Sequence, residues 1–206
     1  IGRVQKMDFS SNSTHATHVA GTVMGSGASS GGTYAGMAPG ASLKSYLWWG
    51  SGSEAQNEYS TVINNYNARV GTNSWGYGVG DPATQSACES VMGAYYTVCG
   101  TIDNIVRGSE GAPIAITWSA GNQRGSASKY CGSIGWTYNT VTPLPTAKNV
   151  IAVGAINSNN SSMTSFSSWG PTDDGRLKPD VVGPGCESGG GITSTSPGGG
   201  YTTMCG

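Results

Sequence analysis

Helical and extended segments alternate along the chain, and this alternation limits the folds that are open to it. We predict helices near residues 14–25, 53–68 and 84–107, and extended segments at 42–47, 71–75 and 113–119. The apolar run at 150–153 is typical of a strand buried in a parallel sheet. Alternation of this kind implies βαβ crossovers. The sequence therefore predicts a three-layer α/β fold with a mostly parallel central sheet flanked by helices.

Composition predicts one globular domain over residues 1–206. The 34 glycines follow no fixed period, so they mark turns and close backbone approaches. Lys and Arg number 10 against 11 Asp and Glu, and charged residues make up 10% of the chain, well below the usual share of about 25%. This balance argues against a nucleic-acid partner. No apolar run reaches the roughly 18 residues that a membrane span requires, so we expect no membrane insertion.

Five cysteines and the low charge favour an exported protein. If Cys88 and Cys99 share the helix predicted at 84–107, they lie roughly 16 Å apart, which is too far for a disulfide. Cys186 and Cys205 flank a glycine-rich loop that a disulfide can close. The odd total, with Cys131, leaves one thiol free or its partner outside the chain. The sequence does not fix the pairing.

His15 opens a helix of small residues, in the run His-Ala-Thr-His-Val-Ala-Gly-Thr. Ser13 and Thr14 are suitable caps for the helix start, and Ala20 and Gly21 allow close approach to a sheet. An imidazole held at the edge of an α/β sheet suits a general base near neutral pH. His15 is therefore the first catalytic candidate.

Three loops follow the ends of predicted strands, where ligands collect in open α/β folds. They are Ser74-Trp75-Gly76, Ser119-Ala120-Gly121-Asn122 and the Phe-Ser-Ser-Trp-Gly-Pro stretch at 166–171. The charged turn that follows, at 173–180, is interpreted as structural. Its prolines and glycine fix the path, and Arg176 and Lys178 can pair with neighbouring carboxylates.

These motifs, in this order and spacing, resemble those of subtilisin-like serine peptidases from about residue 13 to the last residue. The histidine run, Ser-Trp-Gly, Ser-Ala-Gly-Asn, Val-Gly-Ala and Phe-Ser-Ser-x-Gly-Pro through Lys-Pro-Asp-Val-Val are all present. Thr-Asn-Ser-Trp-Gly at 72–76 and Thr-Ala-Lys-Asn-Val-Ile at 146–151 are most similar to the branch of oxidatively stable alkaline proteases.

The resemblance implies a role for each candidate. His15 is the general base, and His18, one turn further on, faces the packed interior. Asn122 donates a side-chain N–H to the oxyanion. The implied substrate-binding residues pair with an extended peptide and wall its primary specificity pocket; they are Ser74, Trp75, Gly76, Ala120 and Gly121.

The family's nucleophilic serine lies in a Gly-Thr-Ser-Met motif, and Gly206 matches the glycine that begins it. Its orienting aspartate normally precedes the histidine by a few tens of residues. Asp8 is a poor substitute, because it lies only seven positions before His15 and Phe9 follows it. We therefore expect the chain to be an internal fragment, a partial catalytic domain truncated at both ends, and to be inactive as it stands.

The resemblance implies a secreted, monomeric serine endopeptidase that acts on extended polypeptides through an acyl-enzyme and uses no organic cofactor. Calcium is a common stabiliser in this family, but no loop matches a coordination pattern, so we assign no metal ligands. One alternative is a catalytically inactive binding or structural domain. Another is a metal-dependent hydrolase, because His15 and His18 have His-x-x-His spacing. Two residues depart from the family pattern, Ala16 and Trp118.

Overall fold

The computed structural model describes residues 2–8, 11–48, 50–186 and 190–206. The helices within these ranges are α1 (Thr14–Met24), α2 (Gly52–Tyr66), α3 (Gln85–Val91) and α4 (Thr97–Val106), with short 3-10 turns at Ala28–Ser30 and Cys131–Ile134. The strands of these residues are β1 (Val4–Lys6), β2 (Leu43–Ser45), β3 (Val70–Asn73), β4 (Ala115–Ser119), β5 (Ile151–Asn157), β6 (Val181–Cys186), β7 (Ile192–Thr195) and β8 (Tyr201–Met204).

The fold is α/β, with a mostly parallel central sheet flanked by helices, as the alternation predicts. The sheet has the order β3-β4-β5-β6, and β3, β4 and β5 run parallel. Asn73 at the end of β3 is in register with Trp118 near the end of β4. The carboxyl ends of these two strands are therefore neighbours, and the loops that leave them start side by side.

The chain divides into two compact units, one made of residues 1–48 and 186–205 and the other of residues 49–185 and 206. The first unit holds α1, the parallel pair β1-β2 and the antiparallel hairpin β7-β8. The second holds α2, α3, α4 and almost all of the four-stranded sheet. None of the helices formed by the described residues combines the length and apolar character that crossing a bilayer requires.

The long helix predicted at 84–107 is wrong, because two helices, α3 and α4, occupy this stretch. Met92 ends α3 in an extended conformation. The backbone of the next residue, Gly93, forms hydrogen bonds with residues that are distant in sequence. Its N–H donates to the Val141 carbonyl at 2.7 Å, and its carbonyl accepts from the Asp173 N–H at 3.1 Å. Tertiary hydrogen bonds replace helical ones here, and Tyr96 begins a second helix. The other predicted elements are confirmed, with bounds that shift by a few residues.

The cysteines pair as two disulfides, Cys88–Cys131 and Cys186–Cys205. The expectation that Cys88 and Cys99 do not pair is confirmed, although they lie in different helices rather than in one. Cys99 is a free, buried thiol on α4. Closure of the glycine-rich loop by Cys186 and Cys205 is confirmed as well.

The charged turn at 173–180 is structural, as predicted. Arg176 pairs with Asp174 at 3.0 Å, and the hydrogen bonds from Arg176 and Thr172 lower the pKa of Asp174 to about 2. Lys178 is buried and donates to Asp180 at 2.7 Å and to the Val150 carbonyl at 3.1 Å. The Ala152 N–H of β5 also donates to Asp180 at 2.7 Å, so the turn fastens β5 to the segment before β6.

Candidate active site

His15 lies in the first turn of α1 and is exposed to solvent. The Ser13 hydroxyl caps this helix by accepting a hydrogen bond from the Ala16 N–H at 2.9 Å, which is the usual way to satisfy a first-turn donor. No hydrogen bond joins the His15 ring to any other residue within the described ranges. The helix cap therefore fixes the backbone of His15 while its imidazole stays available. Ala16 sits in regular helix, so the departure from the family's glycine is accommodated.

His18 is buried, with 6% of its surface exposed, and its Nε2 lies 2.7 Å from the Ile192 carbonyl of β7. A carbonyl oxygen only accepts, so Nε2 must carry the proton. This hydrogen bond joins α1 to β7. The expectation that His18 faces the interior is confirmed. Across the ranges that the structure describes, no three His, Cys, Asp or Glu side chains converge on one point as metal ligands would.

Asp8 is engaged elsewhere, since its Oδ2 accepts a hydrogen bond from the Leu47 N–H just after β2. The carboxylate of Asp8 therefore links the segment that follows β1 to the segment that follows β2.

In the other unit, the loops Ser74-Trp75-Gly76 and Ala120-Gly121-Asn122 leave the adjacent ends of β3 and β4. Trp118, which departs from the family pattern, ties them together: its fully buried indole Nε1 donates to the Trp75 carbonyl at 2.6 Å. The two indole rings also meet edge to face, with centroids 5.1 Å apart. The structure thus brings together six of the seven candidate site residues, and His15 belongs to the first unit.

Tyr59 of α2 contacts the end of β3. Its hydroxyl accepts a hydrogen bond from Asn73 Nδ2 at 3.1 Å, one residue before Ser74. Burial raises the pKa of Tyr59 to about 12, so the phenol is protonated at neutral pH and well above it. The contact is a neutral, permanent support for the loop that follows.

Gly76 presents an open stretch of backbone. It is exposed, and neither its N–H nor its carbonyl bonds to another residue among those described. Unpaired backbone groups at a strand end are suited to pair with an added extended peptide, which is how sheet edges bind peptides.

Gly121 and Ser168 set the turn that carries Asn122. Gly121 has a φ of +103°, which side-chain-bearing residues rarely adopt. The Ser168 N–H donates to the Gly121 carbonyl at 2.8 Å, and the Ser168 hydroxyl accepts from the Gln123 N–H at 2.9 Å. Ala120 is buried, and its N–H donates to Val153 of β5 at 2.9 Å. The turn is therefore held from both sides of Asn122.

The Asn122 side chain is half-buried and makes no hydrogen bond to any residue that the structure covers. Its Nδ2 lies 3.9 Å from the position that a Cβ atom on Gly206 would take. A rigid backbone thus presents an unused amide donor next to the chain at Gly206. Such a preorganised donor is the kind of group that stabilises an oxyanion.

A cavity of about 350 Å³ opens beside this turn. We call it the Gln123 cavity; it is lined by residues 78–81 on one side and by Gln123, Lys129 and Tyr130 on the other. The segments that carry these two sides are joined by the Cys88–Cys131 disulfide and by the Ala83 N–H, which donates to the Ser128 carbonyl at 2.6 Å. Val79, which lines the cavity, belongs with Cys88 and Cys131 to one buried apolar cluster.

Sequence reasoning missed two residues of this site, Ser168 and Gln123. Ser168 lies in the Phe-Ser-Ser-Trp-Gly-Pro stretch that the sequence singles out without assigning it a role. Gln123 directly follows Asn122, the oxyanion candidate, and this adjacency is the one signal in the sequence that points to Gln123.

Comparison with known proteins places these features in a family. Residues 4–206 match the subtilase family. The chain is 33% identical over 194 residues to serine protease AprX of Bacillus subtilis strain 168, covering 88% of this chain and 40% of that relative. The chain thus spans about two fifths of the length of this curated relative.

Solved structures agree on the fold. The CspB protease of Clostridium perfringens matches with a TM-score of 0.65 at 15% identity, covering 94% of this chain and 66% of that one. The PatG macrocyclase domain matches with a TM-score of 0.55 at 13% identity, covering 94% of this chain and 47% of that one.

Proposed function

The chain belongs to the subtilase family, and from this membership we propose that the protein is a serine endopeptidase that cleaves extended polypeptides through an acyl-enzyme. The observation that carries the proposal is the strand-end arrangement in the second unit. Two adjacent loops there combine the open backbone of Gly76 with the unused amide of Asn122. These are the groups that would hold an extended peptide and stabilise a tetrahedral intermediate.

The mechanism follows the template of the family. His15 takes the proton from a serine hydroxyl as its oxygen attacks the scissile carbonyl, and then returns that proton to the leaving amine. Water hydrolyses the acyl-enzyme by the same steps in reverse. Asn122 Nδ2 and a backbone N–H donate to the oxyanion in both halves. In this template the nucleophile is a serine, and no organic cofactor takes part.

The proposed substrate-binding residues are Ser74, Trp75, Gly76, Ala120 and Gly121. Backbone pairing with Gly76 requires an extended peptide, so the proposed substrates are unfolded or flexible segments of polypeptides. We propose that the protein is secreted, which fits the two disulfides, and that it acts as a monomer. Membership of the oxidatively stable alkaline branch remains a hypothesis that rests on the segments at 72–76 and 146–151.

The test is made in the full-length protein with His15→Ala and His18→Gln. His15→Ala should lower kcat by about 10⁶, the loss known for the catalytic histidine of subtilisin. His18→Gln keeps an N–H donor for the Ile192 carbonyl, so activity should stay within a few-fold of the unsubstituted protein. Peptide hydrolysis and labelling by a fluorophosphonate are the two readouts.

The alternatives give different results. A metal-dependent hydrolase using both histidines would lose activity in either variant and in the presence of a chelator, and would not be labelled. A catalytically inactive domain would neither hydrolyse peptides nor react with the fluorophosphonate. Unchanged hydrolysis in His15→Ala would remove this residue from the mechanism.

A further inference from the structure

The indole of Trp118 fixes the direction of one peptide unit in the loop after β3. Trp118 is fully buried in β4, and its Nε1 donates to the Trp75 carbonyl at 2.6 Å. The edge-to-face contact between the two indole rings holds the same pair of residues together. An indole nitrogen only donates, so the group that it bonds must turn an acceptor toward it. The Trp75 carbonyl therefore points toward the Trp118 ring.

The orientation of this carbonyl determines the orientation of the next N–H. The cis peptide bonds among the described residues all precede prolines, so the bond between Trp75 and Gly76 is trans. In a planar trans unit the C=O and the N–H point in opposite directions. The Gly76 N–H is therefore directed away from Trp118, and it bonds to no other residue in the described ranges. Because Gly76 is exposed, a peptide can reach this N–H from solvent.

The neighbours of this peptide unit in the chain do little to hold it. Glycine restricts its own backbone less than any other residue, so Gly76 does not fix the unit by itself. The hydrogen bond between Asn73 and Tyr59 supports the end of β3, two residues before Trp75. The Trp118 indole therefore restrains a peptide unit that a glycine would otherwise leave free to rotate.

The next step rests on the proposed function, in which an extended peptide pairs with Gly76. An N–H that is already oriented binds its acceptor without a further loss of conformational entropy. The acyl part of a substrate stays bound through both halves of the reaction, whereas the amine leaves after the first half. Pairing with the acyl part therefore serves both halves.

We propose that Trp118 is a positioning residue, which makes the enzyme favour substrates whose acyl side is long enough to accept a hydrogen bond from the Gly76 N–H. Four extended residues span about 13 Å, against about 5 Å between neighbouring strands, so such a substrate reaches from Asn122 to the loop after β3. A substrate with one acyl-side residue is held near Asn122 and gains nothing from Gly76.

The kinetic test compares the thiobenzyl esters of acetyl-Phe and acetyl-Ala-Ala-Ala-Phe, using the full-length protein and its Trp118→Phe variant. One hydrogen bond corresponds to about tenfold in kcat/KM, so Trp118→Phe should lower kcat/KM about tenfold for the long ester. The value for the short ester should change less than about twofold. Trp136→Phe removes an indole N–H that donates to Gln85 at 3.1 Å, and this matched control should change neither value. An equal loss for both esters, or no loss for either, would overturn the proposal.

A second variant separates the hydrogen bond from the packing of the ring. β-(3-Benzothienyl)alanine, introduced at position 118 by amber suppression, replaces the indole N–H by sulfur and keeps the bicyclic shape. This protein should lose the preference for the long ester about tenfold, as Trp118→Phe does. If it kept the full preference, ring packing rather than the hydrogen bond would orient Gly76, and the proposal would be contradicted.

Binding separates this inference from the proposed function. Tryptophan labelled with ¹³C at its carbonyl and glycine labelled with ¹⁵N select the glycines that follow tryptophan, which in this chain are Gly50, Gly76 and Gly170. Acetyl-Ala-Ala-Ala-Phe with a free carboxylate, the acyl product, is titrated into the full-length protein and followed by NMR. It should shift the Gly76 signal and bind about tenfold more weakly to Trp118→Phe. If neither ester is hydrolysed, the proposed function fails, yet this binding pattern would still support the role of Trp118. An unmoved Gly76 signal, or equal affinity for the two proteins, would reject it.

Discussion

Asn122 shows how single residues in this site depend on neighbours that are distant in sequence. Its backbone is fixed by the left-handed Gly121 and by Ser168, 46 positions further on, whose hydroxyl receives the N–H of Gln123. The side chain itself bonds to nothing in the described parts of the chain. The backbone that carries this donor therefore needs no rearrangement when charge develops on the substrate.

Replacing Asn122 by leucine in the full-length enzyme should lower kcat about 10²–10³-fold with little change in KM, because the lost hydrogen bond forms mainly in the transition state. The magnitude is the one known for the oxyanion asparagine of subtilisin. Steady-state kinetics on one peptide substrate measures both constants. Asn104→Leu, on the exposed face of α4, is the matched control and should change neither. An Asn122→Leu enzyme with raised KM and unchanged kcat would make Asn122 a substrate-binding residue instead.

The sequence was sufficient for some of these residues and not for others. Gly121 and Asn122 stand in a short motif after an apolar strand, so their position could be predicted from local pattern alone. The role of Ser168 depends on where a distant loop packs. The buried Oε1 of Gln123 has no partner among the described residues, and this is a property of three-dimensional burial, which no local pattern records. The sequence does not show which distant segments come into contact in the folded chain.

Helix α1 packs against strand β7 through small residues and hydroxyl groups. The Ser194 hydroxyl donates to the His18 carbonyl at 2.9 Å, and the Thr195 hydroxyl donates to the Thr17 carbonyl at 2.9 Å. A Cβ atom on Gly21 would stand 2.1 Å from Thr195 Oγ1 and 2.5 Å from Ser194 Oγ. Gly21 therefore sets the distance between the helix that carries His15 and this strand.

Substituting Gly21 by alanine should destabilise the protein by about 1–3 kcal/mol, the usual cost of overpacking, despite the better helix propensity of alanine. Gly100→Ala is the matched control on α4, because its added methyl would come no closer than 3.6 Å to any other group, the Tyr95 hydroxyl. This control should stabilise by up to about 1 kcal/mol. Urea denaturation measures both changes. If both substitutions raised the free energy of unfolding by the same amount, α1 and β7 would have room between them for the added methyl group.

At this scale the sequence predicted the type of each element from α1 to β5 but not every boundary, and it made no prediction for β1, β6, β7 and β8. Apolar runs such as 150–153 and the cap at Ser13 are local signals, and they gave β5 and α1. The break between α3 and α4 has no strong local signal. It arises because Val141 and Asp173 bond to the backbone of Gly93, and these partners become neighbours only in the folded chain.

For the molecule as a whole, the two disulfides each stabilise one of its compact units. Cys88–Cys131 spans 43 positions in the second unit, and Cys186–Cys205 spans 19 in the first. Loop-closure entropy in the unfolded chain predicts stabilisation of about 4 and about 3 kcal/mol, respectively. The longer loop also joins the two segments that carry the lining residues of the Gln123 cavity.

The two disulfides should open in a fixed order under mild reduction, because thiol–disulfide exchange requires access of a thiolate to sulfur. Cys205 is exposed, whereas Cys88 and Cys131 are fully buried. Dithiothreitol followed by iodoacetamide should therefore label Cys186 and Cys205 within the native protein, as measured by peptide mass spectrometry over time. Cys88 and Cys131 should become labelled only when denaturant is added, together with the buried thiol of Cys99, which reports unfolding. If Cys88 and Cys131 were labelled in the native protein while Cys99 stayed unlabelled, the Cys88–Cys131 disulfide would have to become accessible without global unfolding, and burial would not be what protects it.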